Sequence, residues 1–578
     1  MELTLVGVVA IIAIVAVAVF AGRLGVAAPL LLVIVGVGLS FVPGVPDLEV
    51  QPELILAGVL PPLLYSAAVN MPAQDFRRNF KPISALAVVL VVVTTVGTGW
   101  FFHALIPDIG WPAALALGAV ISPTDAVAAT SVGKKLGLPS RVVAVLEGEG
   151  LVNDASALVL LRSAVAALGG TVTLWGVAGD FVFAVLAAVV VGAIVGYVNV
   201  RIRGLLNDSV LTTAISLVVP FIAYIPAEEV GASGVLSVVV AGLITGHLGS
   251  RYLRAQDRLA ETTNWRTLAF LLEGAVFLFM GMELKKAVEQ VQESQFSTWT
   301  AVAIGLVASA IVIALRIAFV GPMVGLLRRD TRRASDAVSR LDEIQARLDA
   351  REPDERFTQR RLDYMETRVA RVSADLAFHL NETLGWRGGV VLGWAGMRGA
   401  ITVAAAQTLP QDTPHRPQLI LIAFVVAATT LLLQGFTLPS VIRMAKVAPD
   451  DPERLRDEYS QLVTELQDAA SQALVDPAVL GGVGEPIPDV VIDLVRADSI
   501  VGRVRSSREA VDENAADANK RGRAQYFALR LLVLAAEREA LLKARKLGVY
   551  SSQSLTHAQN LLDLEEARLE QLDDDESE

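Results

Sequence analysis

The chain has 578 residues, a net charge of −11 at pH 7, 53% hydrophobic and 19% charged residues, and no Cys. With a mean hydropathy of +0.53, this composition indicates a polytopic membrane protein with soluble parts and excludes a large soluble enzyme. The lack of Cys also excludes disulfides and thiolate metal sites.

Thirteen segments are apolar and each is close to the length that crosses a bilayer, which takes about 20 mostly apolar residues. The first lacks the basic start and cleavage site of a signal peptide, so we expect it to be retained as a helix. We therefore predict an all-α polytopic fold with about 13 transmembrane helices. The segments are residues 3–20, 26–43, 52–70, 82–106, 112–131, 141–168, 173–200, 209–226, 231–248, 266–284, 298–327, 387–409 and 417–442.

Basic residues concentrate in alternate loops, which predicts the orientation because cytoplasmic loops are rich in Lys and Arg. The intervening loops carry almost none, so the N-terminus is expected outside and the C-terminus in the cytoplasm of a plasma-membrane protein. The basic residues of the cytoplasmic set are Arg23, Arg77, Arg78, Lys81, Lys134, Lys135, Arg141, Arg201, Arg203, Arg251, Arg254, Arg258 and Arg266. The exceptions are Lys285, Lys286 and Arg416.

Two polar regions interrupt the apolar pattern. Residues 1–445 are predicted to form the transmembrane domain, with a cytoplasmic helical insertion at 328–385 that Pro353 divides into two helices. Residues 446–578 are predicted to form a cytoplasmic helical domain, with helices near 453–475, 518–546 and 555–572. Packing or dimer support is the plainer role for these helices, and regulation of transport is the alternative.

The fifth segment contains a break, ISPTDAVAAT, at residues 121–130. Pro123 interrupts the helix ladder, and oxygens of Ser122, Thr124 and Asp125 can cap a restarting half-helix. Transporters use such breaks to aim carbonyls and helix ends at an ion. A Pro kink capped by its own neighbours is the structural alternative.

The sixth segment contains EGEGLVNDA, which places Asp154 inside a membrane span. An ionised Asp at the centre of a bilayer costs about 3 kcal/mol or more, and such residues mark ion or proton paths. Asn153 precedes Asp154, and Gly150 exposes the backbone one turn below it. The residues therefore indicate a transporter whose working group is Asp154.

The twelfth segment contains GWAGMRGA, in which Arg398 lies among glycines that permit close packing or unwinding. A guanidinium stays protonated, so at this depth it requires an anion. Glu149 is the first candidate partner and Asp154 the second. Glu273 and Arg316 are further buried charges that could pair in space, and we expect a structural role for them.

The motifs SPTDAVA, EGEGLVNDA and GWAGMRGA, in this order, resemble those of the monovalent cation/proton antiporter family. The match is to the branch shared by bacterial sodium/proton antiporters and animal sodium/proton exchangers, and it covers roughly residues 1–445. The resemblance implies a fold with inverted repeats and broken helices, a homodimer, and exchange of sodium, potassium or lithium for protons. It implies no cofactor, no nucleic acid and no enzymatic reaction.

Site roles follow from the same resemblance. Asp154 would be the cation and proton carrier, Asn153 its polar partner, and Glu149 with Arg398 a stabilising ion pair. Thr124 would contribute to the ion site. The full candidate cation site is Asp154, Thr124, Asn153, Ser122 and Asp125.

Two departures from the family pattern remove oxygen ligands: Ser66 stands where some relatives have an acidic residue, and Gly150 where some have Ser. Water would then complete the cation shell, and the choice between sodium and potassium stays open. One carboxylate beside an amide predicts one-for-one, electroneutral exchange. The alternative function is an ion-gated channel or a sensor that signals through the cytoplasmic helices.

Overall fold

The computed structural model describes residues 2–42, 51–169, 174–293, 297–349, 359–382, 384–475, 487–497 and 520–577. The regular secondary structure of these residues is helical throughout. The chain divides into two compact units. The first unit comprises 1–252, 261–330 and 384–449, and the second comprises 253–260, 331–383 and 450–578.

The first half of the chain begins with helices that follow the apolar segments closely. A π-helical turn, Leu54–Val59, precedes the third helix, and another, Ala85–Leu90, joins the fifth to the sixth. The helices are α1 Glu2–Leu24, α2 Ala28–Ser40, α3 Leu60–Asn70, α4 Ala73–Arg78, α5 Phe80–Ser84, α6 Val91–Leu105, α7 Trp111–Ile121, α8 Ala126–Lys135 and α9 Ser140–Ala166.

Nine further helices continue the chain as far as residue 445. They are α10 Leu174–Arg203, α11 Ser209–Glu229, α12 Gly234–Tyr252, α13 Ala255–Gln292, α14 Thr298–Asp349, α15 Gln359–Asn381, α16 Trp386–Trp394, α17 Ala400–Gln407 and α18 Arg416–Ala445. Nine helical stretches of the described residues are long and apolar enough to cross a membrane, and two shorter apolar stretches accompany them. The all-helical polytopic fold is confirmed, while the count of thirteen spans stays a prediction.

The predicted insertion at 328–385 begins differently from expectation. Helix α14 runs without interruption from the eleventh apolar segment to Asp349, because the charged residues after 328 keep good helix propensity and continue its ladder. Within α14, the second unit begins at residue 331. The predicted break at Pro353 lies outside the described residues.

Two of the apolar segments are broken helices. The fifth segment forms α7 and α8, separated by residues 122–125, and the twelfth forms α16 and α17, separated by residues 395–399. The first break was predicted from Pro123. The second break follows from the glycines around Arg398, which lower helix propensity over four residues.

Helices α3, α10 and α12 approach one another at backbone distance. A Cβ added to Gly192 of α10 would lie 2.3 Å from the carbonyl oxygen of Ser237 of α12. A Cβ on Gly246 of α12 would likewise lie 2.3 Å from the carbonyl oxygen of Val69 of α3. Such contacts are possible only for small residues, so these three helices form a closely packed group.

The second unit has its own hydrophobic core. Its remaining helices are α19 Pro452–Ala473, α20 Asp489–Ala497, α21 Lys520–Leu547 and α22 Ser552–Ser577. Leu462 of α19, Leu541 of α21 and Leu562 of α22 are buried together. The three helices predicted in this region are thus present, and their apolar stripes pack on one another.

Candidate functional site

The two helix breaks meet in space. The backbone N–H of Asp125, in the α7–α8 break, donates to the carbonyl oxygen of Met397, in the α16–α17 break, at 2.7 Å. A Cβ on Gly399 would lie 2.5 Å from Oδ2 of Asp125, so only glycine admits the Asp125 side chain there. The contact satisfies backbone groups that the breaks leave free.

Local side-chain bonds stabilise the first break. Oδ1 of Asp125 accepts a hydrogen bond from the backbone N–H of Val127 at 2.8 Å, which makes Asp125 the N-cap of α8. The hydroxyl of Ser122 instead donates back to the carbonyl of Ala119 at 2.9 Å. The predicted cap is therefore confirmed for Asp125, whereas Ser122 bonds within α7.

A chain of hydrogen bonds joins α9 to the break. Nδ2 of Asn153 donates to both the carbonyl oxygen and the hydroxyl of Thr124, each at 2.8 Å. The Thr124 hydroxyl donates in turn to Oε1 of Glu149 at 2.7 Å. Asn153 thus orients Thr124, and its Oδ1 is buried without a hydrogen-bond partner among the described residues.

Glu149 pairs with Arg316 of α14. The guanidinium reaches both carboxylate oxygens, with Nη2 2.8 Å from Oε2 and Nη1 in contact with Oε1. The sequence-based pairing of Glu149 with Arg398 is therefore wrong, and so is the suggestion that Arg316 pairs with Glu273. A bidentate guanidinium neutralises one carboxylate, and the packing of α14 places Arg316, not Arg398, within hydrogen-bond distance of Glu149.

Arg398 has backbone partners instead. Its Nε donates to the carbonyl oxygen of Ile121, the last residue of α7, at 3.1 Å, and its Nη1 bonds the carbonyl of Gly396. Because the C-terminus of a helix carries a partial negative charge, Arg398 stabilises the end of half-helix α7. Arg316 does the same for α16, since its Nε donates to the carbonyl of Leu392 at 2.9 Å.

Asp154 is buried, with 7% of its surface exposed. Its carboxylate has no hydrogen-bond or ion-pair partner in the part of the chain that the structure describes, and it interacts electrostatically with Asp125. Gly150, one turn earlier, lets α8 approach, since a Cβ there would lie 2.9 Å from Cβ of Ala126. An unpaired carboxylate therefore lies beside the broken helix.

One acidic group, Asp125, interacts with Asp154, and Glu273 interacts with Asp125 in turn. The carboxylate of Asp125 interacts electrostatically with those of Asp154 and of Glu273, on α13.

Sequence reasoning missed Arg316 as the partner of Glu149. The available signal was its place in the apolar stretch IVIALRIAFVGP, because a guanidinium at that depth must have an anion.

A buried, unpaired carboxylate beside two crossing half-helices is an arrangement suited to a small cation that loses its water shell. Arg316 binds Glu149 and Arg398 binds the carbonyl of Ile121, so neither neutralises Asp154. Asp125 caps the half-helix α8. The fold and the site together are those of a secondary ion transporter.

The comparisons with known proteins agree with that class. Residues 8–444 match the sequence model of the family described as sodium/hydrogen exchanger, transmembrane. An uncharacterised Na⁺/H⁺ exchanger of Mycobacterium tuberculosis is 30% identical over 97% of this chain and 96% of its own length. The Na⁺/H⁺ antiporter ApNhaP of Aphanothece halophytica is 28% identical over 75% of this chain and 72% of its own length. The chain belongs to the sodium/hydrogen exchanger family.

A solved structure supports the fold. The sodium proton antiporter MjNhaP1 of Methanocaldococcus jannaschii superposes with a TM-score of 0.54, covering 78% of this chain and all of that one. Its sequence identity is 15%, so the likeness establishes the antiporter-type architecture and not the chemistry of individual side chains.

Proposed function

We propose that this protein exchanges a monovalent cation, with sodium first, for protons by alternating access at Asp154. The observation that carries the proposal is the buried carboxylate of Asp154, which has no protein partner among the described residues and adjoins two crossing broken helices. The relatives of this chain include a protein named as a sodium/proton antiporter and one named as an antiporter of sodium, potassium, lithium and rubidium for protons.

Competition between a proton and a cation for the carboxylate of Asp154 couples cation transport to proton transport. Arg316 is held by Glu149 and Leu392, and Arg398 by the carbonyls of Ile121 and Gly396. Neither guanidinium is therefore available to neutralise Asp154. A proton or a cation must do so, and one oxygen pair does not hold both.

The free oxygen atoms suggest how a cation would be bound. The Asp154 carboxylate and Oδ1 of Asn153 have no partners within the described ranges, whereas the Thr124 hydroxyl already donates to Glu149 and accepts from Asn153. In this conformation the two oxygens of Thr124 are engaged by Asn153, and water completes the cation shell. Ser122 and Asp125 act as structural neighbours of the site, because each has a local hydrogen bond.

The charge count favours electroneutral exchange. The residue before Asp154 is the neutral amide Asn153, and the nearby carboxylate of Asp125 caps α8. With Asp154 as the single carrier, one cation of charge +1 replaces one proton. A second carboxylate at position 153 would instead let two protons exchange for one cation. The net charge moved per cycle is therefore zero.

The movement that we propose takes α7, α8, α9, α16 and α17 as a bundle against the group formed by α3, α10 and α12. The scaffold helices would also form a homodimer, as the resemblance to the family implies. We further propose a plasma-membrane location with the N-terminus outside and the C-terminus in the cytoplasm, which the basic loops support.

Proteoliposomes test the function directly. Purified protein is reconstituted with an acidic lumen, and proton efflux is followed after addition of sodium, potassium or lithium. We expect cation-driven proton movement that Asp154→Asn abolishes. The matched control is Asp180→Asn, which changes an exposed carboxylate of α10 and should keep the wild-type rate.

Two results would contradict the proposal. Normal exchange by Asp154→Asn would exclude Asp154 as the carrier, and passive cation flux without proton movement would indicate a channel. Clamping the voltage with potassium and valinomycin should leave the sodium-driven rate nearly unchanged; a strong voltage dependence would reject one-for-one exchange.

A further inference from the structure

Helix α9 carries Asp154 and also packs against two scaffold helices, α3 and α12. Ala144, Leu151 and Ala155 of α9 lie in one apolar cluster with residues of those two helices. The α3 and α12 members of this cluster include Leu60, Leu64, Tyr65, Val235, Val238 and Val239. This contact is formed by side chains without directional bonds, so it resists sliding less than the backbone-level packing of α12 on α3 and α10.

An ion pair joins α9 to α11, the helix that lies between the scaffold helices α10 and α12 along the chain. Nη2 of Arg162 lies 2.5 Å from Oε2 of Glu228, near the C-terminal end of α11. Glu228 is fixed in turn, because its Oε1 accepts from the backbone N–H of Gly234, the first residue of α12, at 2.8 Å. Tyr224 of α11 also interacts electrostatically with Arg162.

Arg162 of this pair lies on the same helix as the proposed carrier, Asp154. Arg162 follows Asp154 by eight residues, about 12 Å along the helix axis at 1.5 Å per residue, so it lies at the end of α9 farther from Ser140. About half of the Arg162 side chain and a quarter of the Glu228 side chain are exposed. A pair with this much exposed surface contributes little to stability, so it can form and break.

We propose that Arg162 and Glu228 form a latch that holds α9, and with it Asp154, in one of the two access states. The latch rests on the proposed alternating access, because a shift of α9 along α11 separates the two charges. It stabilises the state described by the structure and must open before Asp154 reaches the other side. An Arg near a helix end that only extends its charge to water would have no fixed partner on another helix.

The lack of Cys in the chain makes the test direct. The variant Arg162→Cys/Glu228→Cys is reconstituted in proteoliposomes and treated with a short bifunctional methanethiosulfonate reagent. We expect sodium-driven proton exchange to fall at least tenfold on cross-linking and to return with dithiothreitol. Recovery in the same sample shows that the protein stayed folded.

A cross-link within the moving bundle is the matched control. Lys134 of α8 and Glu147 of α9 form an ion pair at 2.7 Å, and Lys134→Cys/Glu147→Cys joins two helices that move together. Its cross-linked form should exchange within twofold of the untreated sample. Full exchange by the cross-linked 162–228 variant would overturn the latch, whereas absence of exchange in the untreated wild-type protein would overturn the transport function itself.

A second variant set needs no cross-link. Arg162→Gln should change the maximal exchange rate at least twofold, and adding Glu228→Gln should change it no further, because both substitutions remove the same pair. Wild-type kinetics in both variants, or additive effects of the two substitutions, would overturn the proposal.

Discussion

Arg316 binds Glu149 with both terminal nitrogens, and this pair connects α14 to the helix that carries Asp154. Both side chains are almost fully buried, at 1% and 2% exposure. The same guanidinium donates to Leu392 at the end of α16. One residue therefore joins α14, α9 and the second broken helix, and it does so without occupying the carboxylate of Asp154.

We expect Arg316→Gln to destabilise the protein by about 3–5 kcal/mol, because it leaves the charge of Glu149 buried and unpaired. The double variant Glu149→Gln/Arg316→Gln removes both charges and should recover much of this loss. Thermal unfolding in detergent measures both. If Arg398→Gln instead caused this loss and Glu149→Gln/Arg398→Gln recovered it, Arg398 and not Arg316 would be the partner.

Gly399→Ala should damage the crossing of the two breaks. The added methyl would lie 2.5 Å from Oδ2 of Asp125, which forces the N-cap of α8 to move and costs about 1–3 kcal/mol by overpacking. We expect a lower melting temperature and slower exchange. Gly385→Ala is the control, since a Cβ there has nothing within 4 Å; similar losses in both variants would contradict the steric argument.

Asn153→Ala should weaken cation binding. It removes an unpartnered buried oxygen and releases Thr124 from two hydrogen bonds. A loss of about 1.4 kcal/mol in binding corresponds to a tenfold higher KM for the cation. Exchange rates measured against sodium concentration give KM and the maximal rate separately. An unchanged KM would exclude Asn153 from the cation site.

The partly buried carboxyl group of Glu570 should make the folding stability of the second unit depend on pH. Burial, the largest cause, raises the pKa of Glu570 above its ordinary 4.5, and the carboxylate of Glu566 raises it further. A carboxyl group with a higher pKa in the folded state stabilises folding fully only below its unfolded pKa. Its contribution is therefore lost as the pH rises from about 4.5 through the raised pKa.

Glu570→Gln should remove that dependence. The variant should melt at a higher temperature than wild type at pH 7.5, and the difference should disappear at pH 4. Glu539→Gln, an exposed substitution on α21, serves as the control and should not change the difference between the two pH values. A Glu570→Gln variant that is less stable than wild type at pH 7.5 would contradict the sign of the effect.

Hydropathy and turn chemistry made much of the fold predictable. The apolar segments locate the helices because each span must satisfy its own backbone hydrogen bonds in lipid, which is a local requirement. Pro123 with its polar neighbours located the first break for the same reason. Asp154 was identifiable because an acidic residue in an apolar span is costly wherever the helix packs.

The partners of the charged groups were not predictable in this way. The sequence contains Arg162, Arg316 and Arg398 at depth or near a span end, and nothing local distinguishes which of them meets Glu149. Arg316 is 167 residues from Glu149 along the chain. The pairing of Glu149 with Arg316 depends on how α9 and α14 cross. It also depends on Gly396, which leaves room for the Arg316 side chain.

The sequence by itself determined the helical membrane architecture, the break at Pro123 and the acidic residue at the centre of the site, since each follows from the chemistry of consecutive residues. Only the tertiary structure decided that Arg316 neutralises Glu149, that Arg398 stabilises the end of α7, and that Arg162 meets Glu228. Charge pairing acts through space between helices, so its outcome depends on how the helices cross and not on their order in the chain.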